Sequence, residues 1–299
     1  MKICIWITKI FDLGGTKRVV SLLANELVKE HEVTIMTYED RFREDRTMYH
    51  LSEDINVDFI DNSQFVNKHH TPAFCARYLV KKFNDRSGMF NKKSLNPILA
   101  EAIFSKKTRE KWVEYFNSQD YDVILTTASL SLRLAMIAPR LKAATIGWQH
   151  NCYDGYLHVK PVVFWQQENL LQQYLPNLDR YIVLSDYDKR DYMEKLGIDC
   201  EVKINPRSFV SEKKCDVKST RFVYAKGLDL MMESFEEFCK EDSEWELDII
   251  GDGDLFDQIR ADAKKRHLEK RVHFVGYTNE PEKYYLNSSV FLLPSRWEG

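Results

Sequence analysis

Glycine is scarce in this sequence, 11 residues in 299, about half the average share of roughly 7%. Scarcity makes position informative: six of the eleven, Gly14, Gly15, Gly227, Gly251, Gly253 and Gly276, fall just after apolar, strand-like runs. Long apolar runs are missing too, so no segment reaches the 18 or so apolar residues that a membrane-spanning helix needs. The opening Lys2-Ile3-Cys4-Ile5-Trp6-Ile7 is too short for the core of a secretion signal, and it leads to Lys9 and Asp12 instead of a small-residue cleavage site. The chain is therefore expected to stay in the cytoplasm. Six cysteines (Cys4, Cys75, Cys152, Cys200, Cys215, Cys239) are scattered with no C-x-x-C pair, the pattern of reduced thiols and not of a disulfide framework or zinc site. His69, His70, His267 and His273 show no metal-ligand spacing. The net charge of -3 gives no footprint for nucleic acid. No G-x-G-x-x-G and no G-x-x-x-x-G-K-[ST] occurs, which counts against dinucleotide oxidoreductases and P-loop NTPases.

What is present is an ordinary globular composition, 44% apolar and 30% charged, in which strand-like runs alternate with helical ones. Strands are expected at 2–8, 32–37, 55–60, 122–128, 143–148 and 181–184, and helices at 16–30, 72–84, 95–117, 130–141, 162–174 and 187–196. Periodicity lapses over 205–219, where Pro, Ser and charge accumulate. A second series then restarts with strands at 221–225, 245–250, 271–275 and 289–293 and helices at 228–240, 254–267 and 281–286. The expected architecture is α/β with two Rossmann-like, doubly wound domains, 1–204 and 220–299, joined by a linker at 205–219. Ligands of such sheets bind at the carboxyl ends of the strands.

Charge is uneven. Residues 39–61 hold eight acids and three bases, whereas 80–112 hold nine bases against three acids, with Phe83, Phe90, Ile98, Leu99, Ile103, Phe104 and Trp112 interspersed. A basic stretch carrying aromatics suits an anionic membrane surface, where each Lys or Arg contributes about 1 kcal/mol. It equally suits a solvated helix pair.

Several strand ends can carry chemistry. Gly14-Gly15 follows the first strand and opens a helix, so backbone N–H groups can meet a phosphate or a sugar there. A plain tight turn is the competing explanation. Trp148-Gln149-His150-Asn151 ends another strand, and a histidine at that place can bond a hydroxyl or phosphate and change charge near neutral pH. Lys226-Gly227 puts a cation and open backbone at a helix start, which suits a diphosphate. Gly251-Asp252-Gly253 does likewise without the cation, or is a turn in which Asp252 or Asp254 caps the helix. Glu298, beyond the last strand, can accept hydrogen bonds from sugar hydroxyls, but one carboxylate makes no acid/base pair.

In order and spacing, G-G (14–15), W-Q-H-N (148–151), Ser185, K-G-L-D-L-M-M-E-S-F (226–235), G-D-G (251–253), V-G-Y (275–277) and L-P-S-R-W-E-G (293–299) resemble the family-4 retaining glycosyltransferases of the GT-B fold. The resemblance spans essentially the whole chain and is most specific in the second half. It implies a nucleotide-diphospho-sugar donor, UDP- or GDP-linked, held mainly by the second domain, and a glycan or lipid-linked acceptor held mainly by the first. Gly14 and Gly15 would approach the donor, His150 would contact its sugar, and Lys226 with Gly227 would neutralise the leaving diphosphate. Gly251 and Gly276 would line the donor site, and Glu298 would bind sugar hydroxyls. No metal or other cofactor is implied.

Two departures stand out. The family's G-R loop is absent, because Ala225 joins directly to Lys226, and the second Glu of the family's motif would fall beyond Gly299. The expectation is thus a hexosyltransferase of polysaccharide or glycolipid assembly with an incomplete second domain. It would be cytoplasmic, extending to a peripheral position on the inner face of the membrane. The alternative is an inactive remnant that binds nucleotide sugars.

Overall fold

Runs of β-branched and apolar residues build strands buried on both faces, as parallel sheets require. In β1 (Lys2–Trp6) Ile3, Cys4, Ile5 and Trp6 are all buried. Alternate residues serve opposite faces: Cys4 and Trp6 join one apolar cluster, Ile3 and Ile5 the other. The computed structural model describes every residue except 13, 40, 66–70, 160–162, 207–225, 242–243, 279, 281–282, 285–286, 289, 291, 293 and 297–299. It divides into two compact units, residues 1–208 and 209–298.

The first unit adds β2 (Glu32–Thr37), β3 (Asn56–Phe59), β4 (Val123–Thr127), β5 (Ala144–Trp148), β6 (Arg180–Val183) and β7 (Glu201–Val202). They form one parallel sheet in the order β3-β2-β1-β4-β5-β6-β7. The order reverses between β1 and β4, the place where doubly wound sheets open a crevice. Helices α1 (Gly15–Leu27), α2 (Pro72–Ser87), α3 (Asn96–Ile103), α4 (Lys106–Ser118) and α5 (Ser129–Ile137) fill the connections, followed by α6 (Tyr153–Leu157), α7 (Glu168–Tyr174) and α8 (Asp186–Asp191). Trp112 of α4 anchors one face, with its ring 4.6 Å from that of Trp6 and stacked at 3.9 Å on Phe65.

Several expected helices differ. The single helix at 95–117 is two, because Phe104 turns extended and Ser105 caps α4 by accepting from Thr108 N at 3.3 Å. The helix at 130–141 stops at Ile137, where Pro139 enters a 3-10 turn. The helix at 187–196 finishes as a π-helical turn, Tyr192–Leu196, closed by a left-handed Gly197.

In the second unit α9 (Leu228–Glu241), β8 (Leu247–Ile250), α10 (Phe256–Lys265) and β9 (Val272–Gly276) form a β-α-β core in which β8 and β9 pair in parallel. Met231, Met232 and Phe235 of α9 pack with Leu247, Ile249, Ile259 and Val272. The expected strand at 221–225 and most of the linker, of the helix at 281–286 and of the strand at 289–293 lie outside the described residues. No described helix is long and apolar enough to cross a membrane.

Candidate functional site

The carboxyl edge of the seven-stranded sheet gathers the first-half motifs. Beyond β1 the chain stays stapled to the end of β2: Ile7 N donates to Met36 O at 2.9 Å, and Thr37 Oγ1 donates to Thr8 O at 3.2 Å. It then reaches Gly14, the N-cap of α1, which offers no side-chain cap, and no acid lies in the first turn. The N–H of Gly14 is already used, donating to Tyr49 Oη at 2.8 Å. The amides of Gly15 and Thr16 donate to no described residue, and a Cβ added to Gly15 would meet nothing within 4 Å. The turn therefore presents open N–H groups and open space, as an anion or sugar would require. Across the switch point, Ala128 at the end of β4 has φ 50°, a left-handed backbone in a non-glycine residue that marks stored strain. Nothing in the sequence points to it.

His150 stands just beyond β5. Its N–H donates to Tyr156 Oη at 3.3 Å and its ring lies 4.4 Å from that of Trp148. Beneath it, the buried Gln149 Oε1 accepts from Tyr181 Oη at 3.0 Å and from Tyr192 Oη, which fixes the turn from below. Both ring nitrogens of His150 are buried and lack a hydrogen-bond partner. Desolvation pushes its pKa down to about 4, and the Asn205 side chain opposes this without reaching hydrogen-bond geometry. The expectation of a charge change near neutral pH is thus corrected. The ring stays neutral, with one donor and one acceptor nitrogen. Ser185, by contrast, is spent as the cap of α8, accepting from Asp188 N at 3.1 Å and donating to Asp188 Oδ2 at 2.7 Å.

A stability consequence follows. The folded His150 pKa lies below the unfolded value near 6.5, so the unfolded chain binds the extra proton first and stability falls as pH drops below 6.5. Between pH 7.5 and 5.5 this group alone is expected to remove on the order of 1 kcal/mol. Urea denaturation of wild type and His150→Gln at both pH values checks it, because the variant should lose less stability by that amount.

In the second unit Lys226 and Gly227 lie immediately before α9. Gly227 has φ 63°, and a Cβ placed on it would lie 2.1 Å from the carbonyl oxygen of Pro294. The K-G and L-P-S-R motifs, far apart in sequence, therefore meet. The Arg296 guanidinium holds Asp229 bidentately, at 2.8 and 2.6 Å, and keeps its carboxyl pKa below the usual value. Gly251 N donates to Gly276 O at 2.8 Å, joining the ends of β8 and β9. Asp252 accepts from its neighbour Gly253 at 2.8 Å, and α10 has no side-chain cap, so neither Asp252 nor Asp254 caps it. Glu298 lies outside the described residues. An apolar cavity of about 840 Å³ is lined by Phe235, Phe238, Trp245, Leu247, Val290 and other residues. It runs from Trp245 and Leu247 at the amino end of β8 to Pro294, whose carbonyl approaches Gly227.

The family model described as Glycosyltransferase Family 4 matches residues 13–208, and the one described as Glycosyl transferases group 1 matches residues 201–299. An uncharacterized glycosyltransferase of Haemophilus influenzae is 24% identical over 313 residues, covering 100% of this chain and 75% of its own length. The poly(ribitol-phosphate) alpha-N-acetylglucosaminyltransferase of Staphylococcus aureus is 27% identical over 144 residues, 46% of this chain and 29% of its own length. Among solved structures, a mutant of S. aureus TarM in complex with Fondaparinux, alpha-GlcNAc-glycerol and UDP aligns with TM-score 0.70 at 15% identity, over 99% of this chain and 81% of that one. The lipopolysaccharide outer core galactosyltransferase WaaB aligns with TM-score 0.60 at 17% identity, over 99% of this chain and 74% of that one. With a family model covering residues 13–208, the chain belongs to Glycosyltransferase Family 4 and is a glycosyltransferase of GT-B fold.

Proposed function

We propose that this chain transfers a hexose from a UDP- or GDP-linked donor to a glycan or lipid-linked acceptor, with retention of anomeric configuration. The second unit would hold the donor and the first the acceptor. The observation that carries the reading is the Lys226-Gly227 turn: a cation and an obligatory glycine at the start of α9, inside the segment matched to Glycosyl transferases group 1. In the transfer, the bond from the anomeric carbon to the diphosphate oxygen breaks and a bond from the acceptor hydroxyl oxygen forms, while the hydroxyl proton passes to the departing diphosphate or to water. Negative charge grows on the leaving diphosphate, and a fixed cation there acts where charge develops. The neutral His150 would contact the donor sugar, Gly14, Gly15, Gly251 and Gly276 would give it backbone room, and Glu298 would bind its hydroxyls. Support for a nucleotide donor comes from TarM, crystallised with UDP, and from HepE, crystallised with UDP-glucose at TM-score 0.57. Incubation with UDP- and GDP-linked hexoses is expected to release nucleoside diphosphate, with the sugar product in the donor's configuration by NMR. An inverted product removes retention from the reading.

Binding without turnover is the second reading, favoured by the direct junction of Ala225 to Lys226, which leaves no G-R arginine to share the diphosphate charge.

The first unit also carries the proposed membrane contact. Within 80–112, Leu99, Phe104 and Trp112 are buried, whereas Phe83, Met89 and Ile98, with Tyr78 and Leu79 just before, are exposed. Lys82, Arg86, Lys92 and Lys93 are exposed too. Apolar tips among lysines match an anionic lipid surface. Vesicles of equal phosphatidylglycerol and phosphatidylcholine are expected to float the protein, and high salt to release it. Equal flotation on pure phosphatidylcholine refutes the charge attraction.

A further inference from the structure

The acidic stretch after β2 is spent largely on its own turns: Asp45 caps Thr47 N at 3.0 Å and Asp61 caps Ser63 N at 2.8 Å. Glu39 is different. It is 8% exposed, and its Oε2 accepts from Ile10 N at 2.6 Å, Phe11 N at 2.9 Å and Thr37 Oγ1 at 3.4 Å, while Oε1 is buried with no partner. Burying a carboxylate is costly, and charge-assisted bonds to backbone amides are what offset the cost. Further along the same connection, Tyr49 Oη takes the Gly14 N–H at 2.8 Å and lies 3.3 Å from Asp12 O and 3.4 Å from Gly14 O. Two side chains from one short segment thus grip both ends of the stretch from Ile10 to Gly14, the run of backbone that sets where α1 begins.

We propose that Glu39 and Tyr49 are positioning residues that hold the Gly14-Gly15 turn in shape for a diphosphate-bearing ligand, leaving the amides of Gly15 and Thr16, and not that of Gly14, as the donors. This rests on the reading of the turn as part of the donor site. A loop that is already ordered gives up less conformational entropy on binding, so a grip of this kind acts through affinity. Neither residue touches the ligand. Each acts through the backbone it holds, and Glu39 needs only one accepting oxygen to do so.

The test pairs two readouts on the full chain, amide hydrogen exchange without ligand and calorimetric titration with UDP and with GDP. Tyr49→Phe is expected to speed exchange at Gly14, and Glu39→Ala at Ile10 and Phe11, each by about tenfold or more. Both are expected to weaken nucleotide binding several-fold. Glu39→Gln, which keeps an accepting oxygen, should restore most of the protection and affinity, and Tyr49→Phe keeps the ring and serves if Glu39→Ala does not fold. Unchanged exchange at these amides overturns the proposal. So does faster exchange with unchanged affinity, if Gly15→Val, which fills the open space beside the turn, abolishes binding. If Gly15→Val also leaves affinity untouched, the reading of the turn as a donor site falls, and this inference with it.

Discussion

Lys226→Ala is expected to slow cleavage of the donor's sugar–phosphate bond by about 10²–10³-fold, the loss typical when one preorganised group is removed from developing charge. The size follows from what the chain lacks. With Ala225 joined straight to Lys226, no G-R arginine shares the load, and α9 begins at once after Gly227. Arg296 is close by but committed bidentately to Asp229, so its charge is largely balanced. Lys226→Arg keeps the charge and should retain more activity than Lys226→Ala, though a planar fork does not reproduce a point charge on a flexible stem. Steady-state release of nucleoside diphosphate measures both. An alanine variant within about threefold of wild type would mean that the leaving group is neutralised elsewhere.

Gly227→Val is expected to cost about 2–5 kcal/mol of second-unit stability, from backbone strain plus overpacking. Its φ of 63° is one a β-branched residue avoids, and the added Cβ would lie 2.1 Å from the Pro294 carbonyl oxygen, a backbone atom that cannot swing aside. Urea-dependent amide exchange in β8 and β9, the paired strands of the same unit, reads the loss directly. Gly15→Val supplies the contrast, since a Cβ there meets nothing within 4 Å. The first substitution should damage the fold and the second only binding. A Gly227→Val protein as stable as wild type would contradict the geometry that draws Gly227 and Pro294 together.

The strands were legible because a sheet covered on both faces needs unbroken apolar runs, and E-V-T-I-M-T became β2 at residues 32–37 as expected. The break between α3 and α4 was not, because apolar spacing runs on through Phe104 while the interruption is made by one extended backbone and the Ser105 cap. The two residues of β7 and the five of α6 are too short to show a period. In the site, Gly227 announced itself because a φ of 63° and the nearby Pro294 carbonyl leave no place for a side chain. Contacts made at long range did not. Glu39 grips backbone 28 and 29 residues away, and Asp229 meets Arg296 at a separation of 67. The state of His150 was misread because its pKa depends on burial, which a loop residue's sequence neighbours do not reveal.

In the proposed reading the Lys226-Gly227 turn holds a nucleotide-diphospho-sugar. Calorimetric titration of wild type and Lys226→Ala with UDP-glucose, UDP-galactose, UDP-N-acetylglucosamine and GDP-mannose tests it most directly. Saturable one-site binding to at least one donor is expected, weakened about tenfold or more in the variant, as the loss of one charge-assisted contact implies. Absence of saturable binding to all four, or equal affinity in the two proteins, would contradict it.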